Sequence, residues 1–297
     1  MTDDMTDSNY RIDDETSIDA SSFVDPLKEL RDPPTFRLAF ADADFLMSRE
    51  TRGIRVQLEL LKPDLILKKH GINSTVVVFG GARLRSQEDA DEQLRQVQEK
   101  LAKQPDSAQL QKELAHAKNL VKNAHYYEDA RTIGRVIGEY ERKAEPDKKI
   151  FICTGGGPGI MEAANRGAYE AKSPNIGLNI VLPHEQGFNP YITPELCFRF
   201  HYFATRKMHF LMRAKALLTF PGGFGTLDEL FEILTLVQTN KTRPVPIILY
   251  GKEFWEELIN FDALVKRGMI SPEDVDLFKY ADSPDETWEI LQDWYQL

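Results

Sequence analysis

Thr219-Phe-Pro-Gly-Gly-Phe-Gly-Thr-Leu-Asp-Glu229 joins a short apolar run, Ala216 to Phe220, to a segment in which Leu227, Leu230, Phe231, Leu234 and Val237 recur at helical spacing. The predicted order is strand, glycine turn, helix. Gly222, Gly223 and Gly225 leave the turn without side chains, so backbone N–H groups can approach a ligand, and the helix start adds partial positive charge. This pattern predicts a phosphate seat. Glu229, one turn into the helix, sets a carboxylate beside it, fit for acid or base chemistry. Thr226-x-x-Glu229 also reads as a capping box, in which both side chains only satisfy free N–H groups, and the local pattern does not choose between the two.

Upstream, the same grammar occurs twice more. Thr75 to Phe79 is a continuous β-branched run that enters Gly80-Gly81-Ala82-Arg83, as expected of a strand covered on both faces. Lys149 to Cys153 enters Thr154-Gly-Gly-Gly-Pro-Gly-Ile-Met-Glu162 and a helix through Ala171, with Pro158 expected in the first helical turn. Further strands are predicted at Ile176 to Leu182, Cys197 to Tyr202 and Val245 to Tyr250, with a helix carrying Arg206 and Lys207 and closing helices around Trp255, Trp288 and Trp294. Alternating strands and helices imply an α/β fold, a Rossmann-like doubly wound parallel sheet that binds ligands beyond the carboxyl ends of its strands. All three glycine turns belong to that edge and outline one nucleotide-sized pocket.

The flanks are read as additions. Residues 1–34, rich in Asp, Ser and Thr, are expected to form a disordered acidic tail, and 35–297 a single nucleotide-binding domain. Residues 36–70 are expected to be N-terminal helices with a break or new start at Pro63; their Arg52, Arg55 and Glu59 are read as solvated or ion-paired. Residues 85–125 are read as an inserted helical hairpin ahead of a helix from Tyr127 to Tyr140. Leu94, Val97 and Leu101, then Leu110, Leu114, Ala117 and Val121, mark its two runs, broken at Gln104-Pro105-Asp106-Ser107. It is either a subunit contact or a solvated elaboration.

The composition narrows the function. With 297 residues and 42% hydrophobic content the chain can bury a full core, and a net charge of −10 argues against nonspecific nucleic-acid binding. It has no long apolar run, and its acidic start does not resemble a secretory signal, so the expected location is the cytoplasm, away from the membrane. Cys153 and Cys197 are expected to be buried free thiols. The spacing of the glycines matches neither G-x-G-x-x-G nor the P-loop, and G-x-S-x-G is missing. The six histidines have no zinc spacing, so neither a metal nor a cofactor is expected.

Thr154 to Glu162, Arg206-Lys207 and Pro221 to Glu229 together resemble the signature of the LOG family, often labelled "putative lysine decarboxylase". The similarity spans roughly Thr75 to Trp255; the N-terminal extension and the hairpin depart from shorter members. The resemblance implies a homodimer or higher homo-oligomer that cleaves the N-glycosidic bond of purine nucleoside 5′-monophosphates, AMP or cytokinin-type nucleotides, to free base and ribose 5-phosphate. Carried over by position, it makes Arg206 and Glu229 the catalytic pair. Gly222, Gly223, Gly225 and Thr226 become the phosphate loop, and Gly156, Gly157 and Met161 contacts near base and ribose. Gly81 and Lys207 complete the expected substrate-binding set, and Glu162 is a second carboxylate candidate that could instead cap its own helix. Ribosyl C–N cleavage builds positive charge on the sugar, which a carboxylate such as Glu229 can meet. The alternative function is a non-catalytic nucleotide sensor or carrier. A decarboxylase would need a Schiff-base lysine, for which Lys207 is the only candidate.

Overall fold

The computed structural model describes residues 34–182 and 187–296, so the expected tail falls, apart from its last residue, outside the described residues. The chain divides into two compact units at Gln57/Leu58. The first holds the short helix α1 (Ala43–Met47), capped by the Asp42 carboxylate on the Phe45 N–H at 3.0 Å. The division falls inside α2 (Arg52–Lys69), within the segment read as N-terminal helices.

The second unit is built on seven parallel strands: β1 (Thr75–Phe79), β2 (Phe151–Thr154), β3 (Ile176–Ile180), β4 (Cys197–Phe200), β5 (Ala214–Thr219), β6 (Ile247–Tyr250) and β7 (Lys279–Ala281). Their order in the sheet is β4-β3-β2-β1-β5-β6-β7. The doubly wound parallel architecture read from the sequence is therefore the observed one. From β1 the chain steps outward through β2, β3 and β4, then returns to lay β5 on the other side of β1, Val77 opposite Leu217 and Val78 opposite Leu218. The order reverses between β1 and β5, the switch point at which sheets of this kind bind ligands beyond the carboxyl ends.

Strand alternation sorts the core into two layers. Val77, Phe79, Phe151, Cys153, Leu178, Leu217 and Leu249 face α6 (Phe203–Met212) and α7 (Phe224–Gln238), meeting Phe210, Leu230 and Ile233. Val76, Val78, Ile152, Ala216, Leu218 and Ile248 face the helices α4 (Ala108–Glu141), α5 (Ile160–Glu170) and α10 (Pro284–Tyr295), meeting Tyr127, Ile133, Ile160 and Leu291. Helices α8 (Lys252–Leu258) and α9 (Phe261–Lys266) complete the chain between β6 and β7.

Several boundaries differ from expectation, each for a physical reason. The hairpin pairs α3 (Gln87–Lys103) with α4, but α4 does not stop at residue 125; it runs on through the segment expected to be a separate helix. That continuity follows from close packing on α5. A Cβ on Gly134 would lie 2.2 Å from Ala164 O, and one on Gly167 would lie 1.9 Å from Arg131 O, so the two backbones nearly touch. Pro63 sits inside α2 rather than at a break. Pro158 precedes α5, whose cap is Gly159. Three-residue β7 lay in a segment read as helical; it is too short and too half-buried to show a period. Cys153 is buried as expected, whereas Cys197 is only half-buried.

Candidate active site at the switch point

The turns after β1, β2 and β5 pack against one another. Gly81 N donates to Pro221 O at 2.9 Å, Ile160 N to Gly81 O at 3.3 Å, and Phe220 N to Phe79 O at 2.9 Å. Gly159 has φ +72°, and a Cβ there would lie 2.3 Å from Gly81 O, so only glycine lets the second turn close on the first. The Gly81 N–H is spent on this packing. It joins the turns rather than offering a donor to a ligand.

The turn after β2 is held from below by side chains that motif reading missed. Thr154 donates its hydroxyl to Asn165 Oδ1 at 2.7 Å and accepts from Gly156 N at 3.0 Å. Asn189 donates from Nδ2 to Gly157 O at 3.2 Å and to the same Asn165 oxygen at 3.0 Å, while its backbone N–H meets Gly156 O at 2.9 Å. Asn165 Nδ2 reaches Asn175 Oδ1 at 2.8 Å. The signal in the sequence is slight: a polar Asn on the buried face of an alanine-rich helix. Met161 covers the same turn, because a Cβ on Gly155 or Gly157 would each lie 2.9 Å from its side chain.

Helix α6 delivers Arg206 to this turn. Its Nε donates to Leu178 O at 2.7 Å and Nη2 reaches Gly155 O at 3.5 Å, with the guanidinium 5.0 Å from the Phe210 ring centroid. Burial lowers its pKa and the Glu229 charge opposes that, but a guanidinium keeps its proton and cannot serve as a base. Lys207 instead pairs with Asp228 at 2.8 Å and Glu232 at 3.1 Å on α7. Burial pulls its pKa down, but these two carboxylates outweigh it and hold the amine above its ordinary value. An ammonium so held is a poor Schiff-base nucleophile, against the decarboxylase label.

On the β5 side, α7 starts at Phe224 after a Gly223 cap that makes no side-chain bond. Thr226 is therefore the third residue of the helix, and the capping box Thr226-x-x-Glu229 is not formed. Thr226 lies over Gly222 instead, where a Cβ would meet its Oγ1 at 2.2 Å, while the space beside Gly223 and Gly225 is open. The first N–H groups of α7 lack a capping side chain and are available to an anion. Glu229 is 9% exposed. Burial pushes its carboxyl up to about 7, against the pull of Lys207 and Arg206 and with a push from Glu232 and Asp228. Glu162, in the first turn of α5, is engaged by α4: its Oε1 accepts the Tyr127 hydroxyl at 2.8 Å. Among the described residues no cluster of three or more His, Cys, Asp or Glu could hold a metal, and no helix is long and apolar enough to cross a membrane.

A family model described as possible lysine decarboxylase matches residues 161–291, the part of the chain that carries Arg206 and Glu229. Cytokinin riboside 5′-monophosphate phosphoribohydrolase LOG1 of Arabidopsis thaliana is 33% identical over 91 residues, 30% of this chain and 42% of LOG1. The chain is thus similar, over part of its length, to proteins of the LOG family. A further relative is the pyrimidine/purine nucleotide 5′-monophosphate nucleosidase of Escherichia coli strain K12, 30% identical over 144 residues, 43% of this chain and 28% of the nucleosidase. The chain thus spans less than half the length of either relative. Among solved structures, that of TM1055 overlays 74% of this chain and 99% of its own at 17% identity, with a TM-score of 0.44.

Proposed function

We propose that this protein is a nucleoside 5′-monophosphate phosphoribohydrolase. The observation that carries the reading is Glu229, a nearly buried carboxyl whose pKa is pushed up to about 7, on the helix whose uncapped start follows the glycine turn. The 5′-phosphate would sit on the Gly222–Thr226 turn, with Arg206 across the cleft at the second glycine turn. The C1′–N bond breaks with its electron pair leaving on the base nitrogen, and the ribosyl cation that forms meets the Glu229 carboxylate. Water adds its oxygen to C1′, and its proton ends on the departing base. The names of the two relatives support a nucleotide monophosphate as substrate.

AMP is the first substrate to try, with cytokinin-type monophosphates beside it, and cytoplasm is the compartment in which such nucleotides would be met. Incubation with a panel of purine and pyrimidine 5′-monophosphates, followed by chromatography, should release free base and ribose 5-phosphate from at least one. Binding by calorimetry without base release from any of them would assign the pocket to a nucleotide sensor or carrier.

The same reading carries a homodimer. A groove of about 520 Å³ runs beside α7, lined by Lys207, Leu227 and Thr235 together with Phe224, 92% exposed, and Phe231, 40% exposed. An apolar wall of that kind next to a cleft suits a second copy of the chain.

A further inference from the structure

Helix α6 has no cap of its own. Tyr202 at the cap position makes no side-chain bond, and the first turn contains no acidic residue. The acceptors come from α2, more than 140 residues earlier in the chain. Glu59 Oε1 takes the His201 N–H at 2.8 Å, and Oε2 takes the Tyr202 N–H at 3.2 Å and the Thr205 hydroxyl at 2.8 Å. A residue read from sequence as a solvated or ion-paired charge is thus a carboxylate supplied from another helix to the cap residue of α6 and the residue before it, with its negative charge at the positive end of α6.

Pro63 completes the arrangement. Lacking an N–H, it cannot bond the carbonyl four residues back, which is that of Glu59. The freed oxygen accepts from His209 Nε2 at 3.1 Å, so the imidazole is the Nε2–H tautomer and α6 is held a second time. At the far end of α6, Arg213 pairs with the Asp64 carboxylate and donates from Nε to Ile72 O at 3.0 Å. What looked like a helix breaker is the residue that lets α2 grip α6.

Arg206 belongs to the turn so gripped, since its N–H bonds Tyr202 O at 3.3 Å. We propose that Glu59 is a positioning residue: acting through the first turn of α6, its carboxylate sets where the Arg206 guanidinium lies against Leu178 O and the second glycine turn. It touches no substrate. Only the kinetic consequence rests on the nucleotide-cleaving reading.

The test reads Arg206 directly. Its Nε–H, held by Leu178 O, should give a protected side-chain resonance, assigned by its loss in Arg206→Lys. In Glu59→Ala that proton should exchange at least about tenfold faster, as should the α6 amides, while the β1 amides stay unchanged. Glu59→Gln keeps the size and one acceptor and should fall between; it also serves if the alanine variant fails to fold. In steady state Glu59→Ala should lose about tenfold or more in kcat/KM on whichever monophosphate is cleaved, and the loss should shrink in an Arg206→Ala background, because the two act through one contact. An unchanged Arg206 proton overturns the proposal. So do losses that are fully additive, which would make Glu59 a structural cap and no more. A wild type that releases no base sinks the enzymatic reading alone, and the resonance still decides the role of Glu59.

Discussion

Glu229 bears two expectations that pull in opposite directions. Its folded-state pKa, about 7, stands above the ordinary 4.5, so the native state holds this proton more tightly than the unfolded chain does. That contribution to stability is complete below the ordinary value and is lost as pH rises through about 7. Glu229→Gln should therefore be more stable than wild type above about pH 8, by on the order of 2 kcal/mol in urea unfolding, and close to equal near pH 4. If the carboxylate meets the sugar cation, kcat/KM should rise with pH through a midpoint near 7, and the glutamine variant should lose about 10²–10⁴-fold and flatten that limb. A limb that falls instead would make Glu229 an acid. Lower stability and lower turnover together would return it to a structural role.

Among the elements, the α4–α5 pair limits what the second glycine turn can tolerate. Helix α5 starts at that turn and carries Asn165 beneath it, and its backbone rides on α4 at Gly134 and Gly167. Gly167→Ala puts a methyl 1.9 Å from Arg131 O, backbone on backbone, so one helix must shift. The expected cost is about 1–3 kcal/mol in urea unfolding, with weaker nucleotide binding as α5 tilts away from the Asn165 bonds. An unchanged midpoint would mean that the pair slides freely. Helix α6 depends on α2 in a comparable way, through Glu59 and Asp64.

In the whole molecule, the groove beside α7 bears on assembly. If that groove seats a second copy, as proposed, Phe224→Asp should lower the sedimentation coefficient from that of a dimer to that of a monomer, while the pH-dependence of Glu229 persists in whatever activity remains; an unaltered coefficient would count against this face as a subunit contact. Much of this architecture was legible beforehand. Continuous apolar runs ending in glycine announced buried parallel strands, Glu229 was picked out by its place one turn into the helix after the glycine turn, and Arg206 by the family resemblance alone. What could not be read involved partners distant in sequence. Glu59 looks like any surface charge until His201 and Thr205 are brought to it, Pro63 looks like a helix stop until His209 takes the carbonyl it frees, and α4 shows no reason to continue past residue 125 until α5 lies along it. The sequence by itself determined strand, turn and helix order, because hydrophobic period and glycine act over a few residues. Only the tertiary structure decided capping, the burial that raises the Glu229 pKa, and the polar net under the second turn, because hydrogen bonds and desolvation depend on neighbours in space.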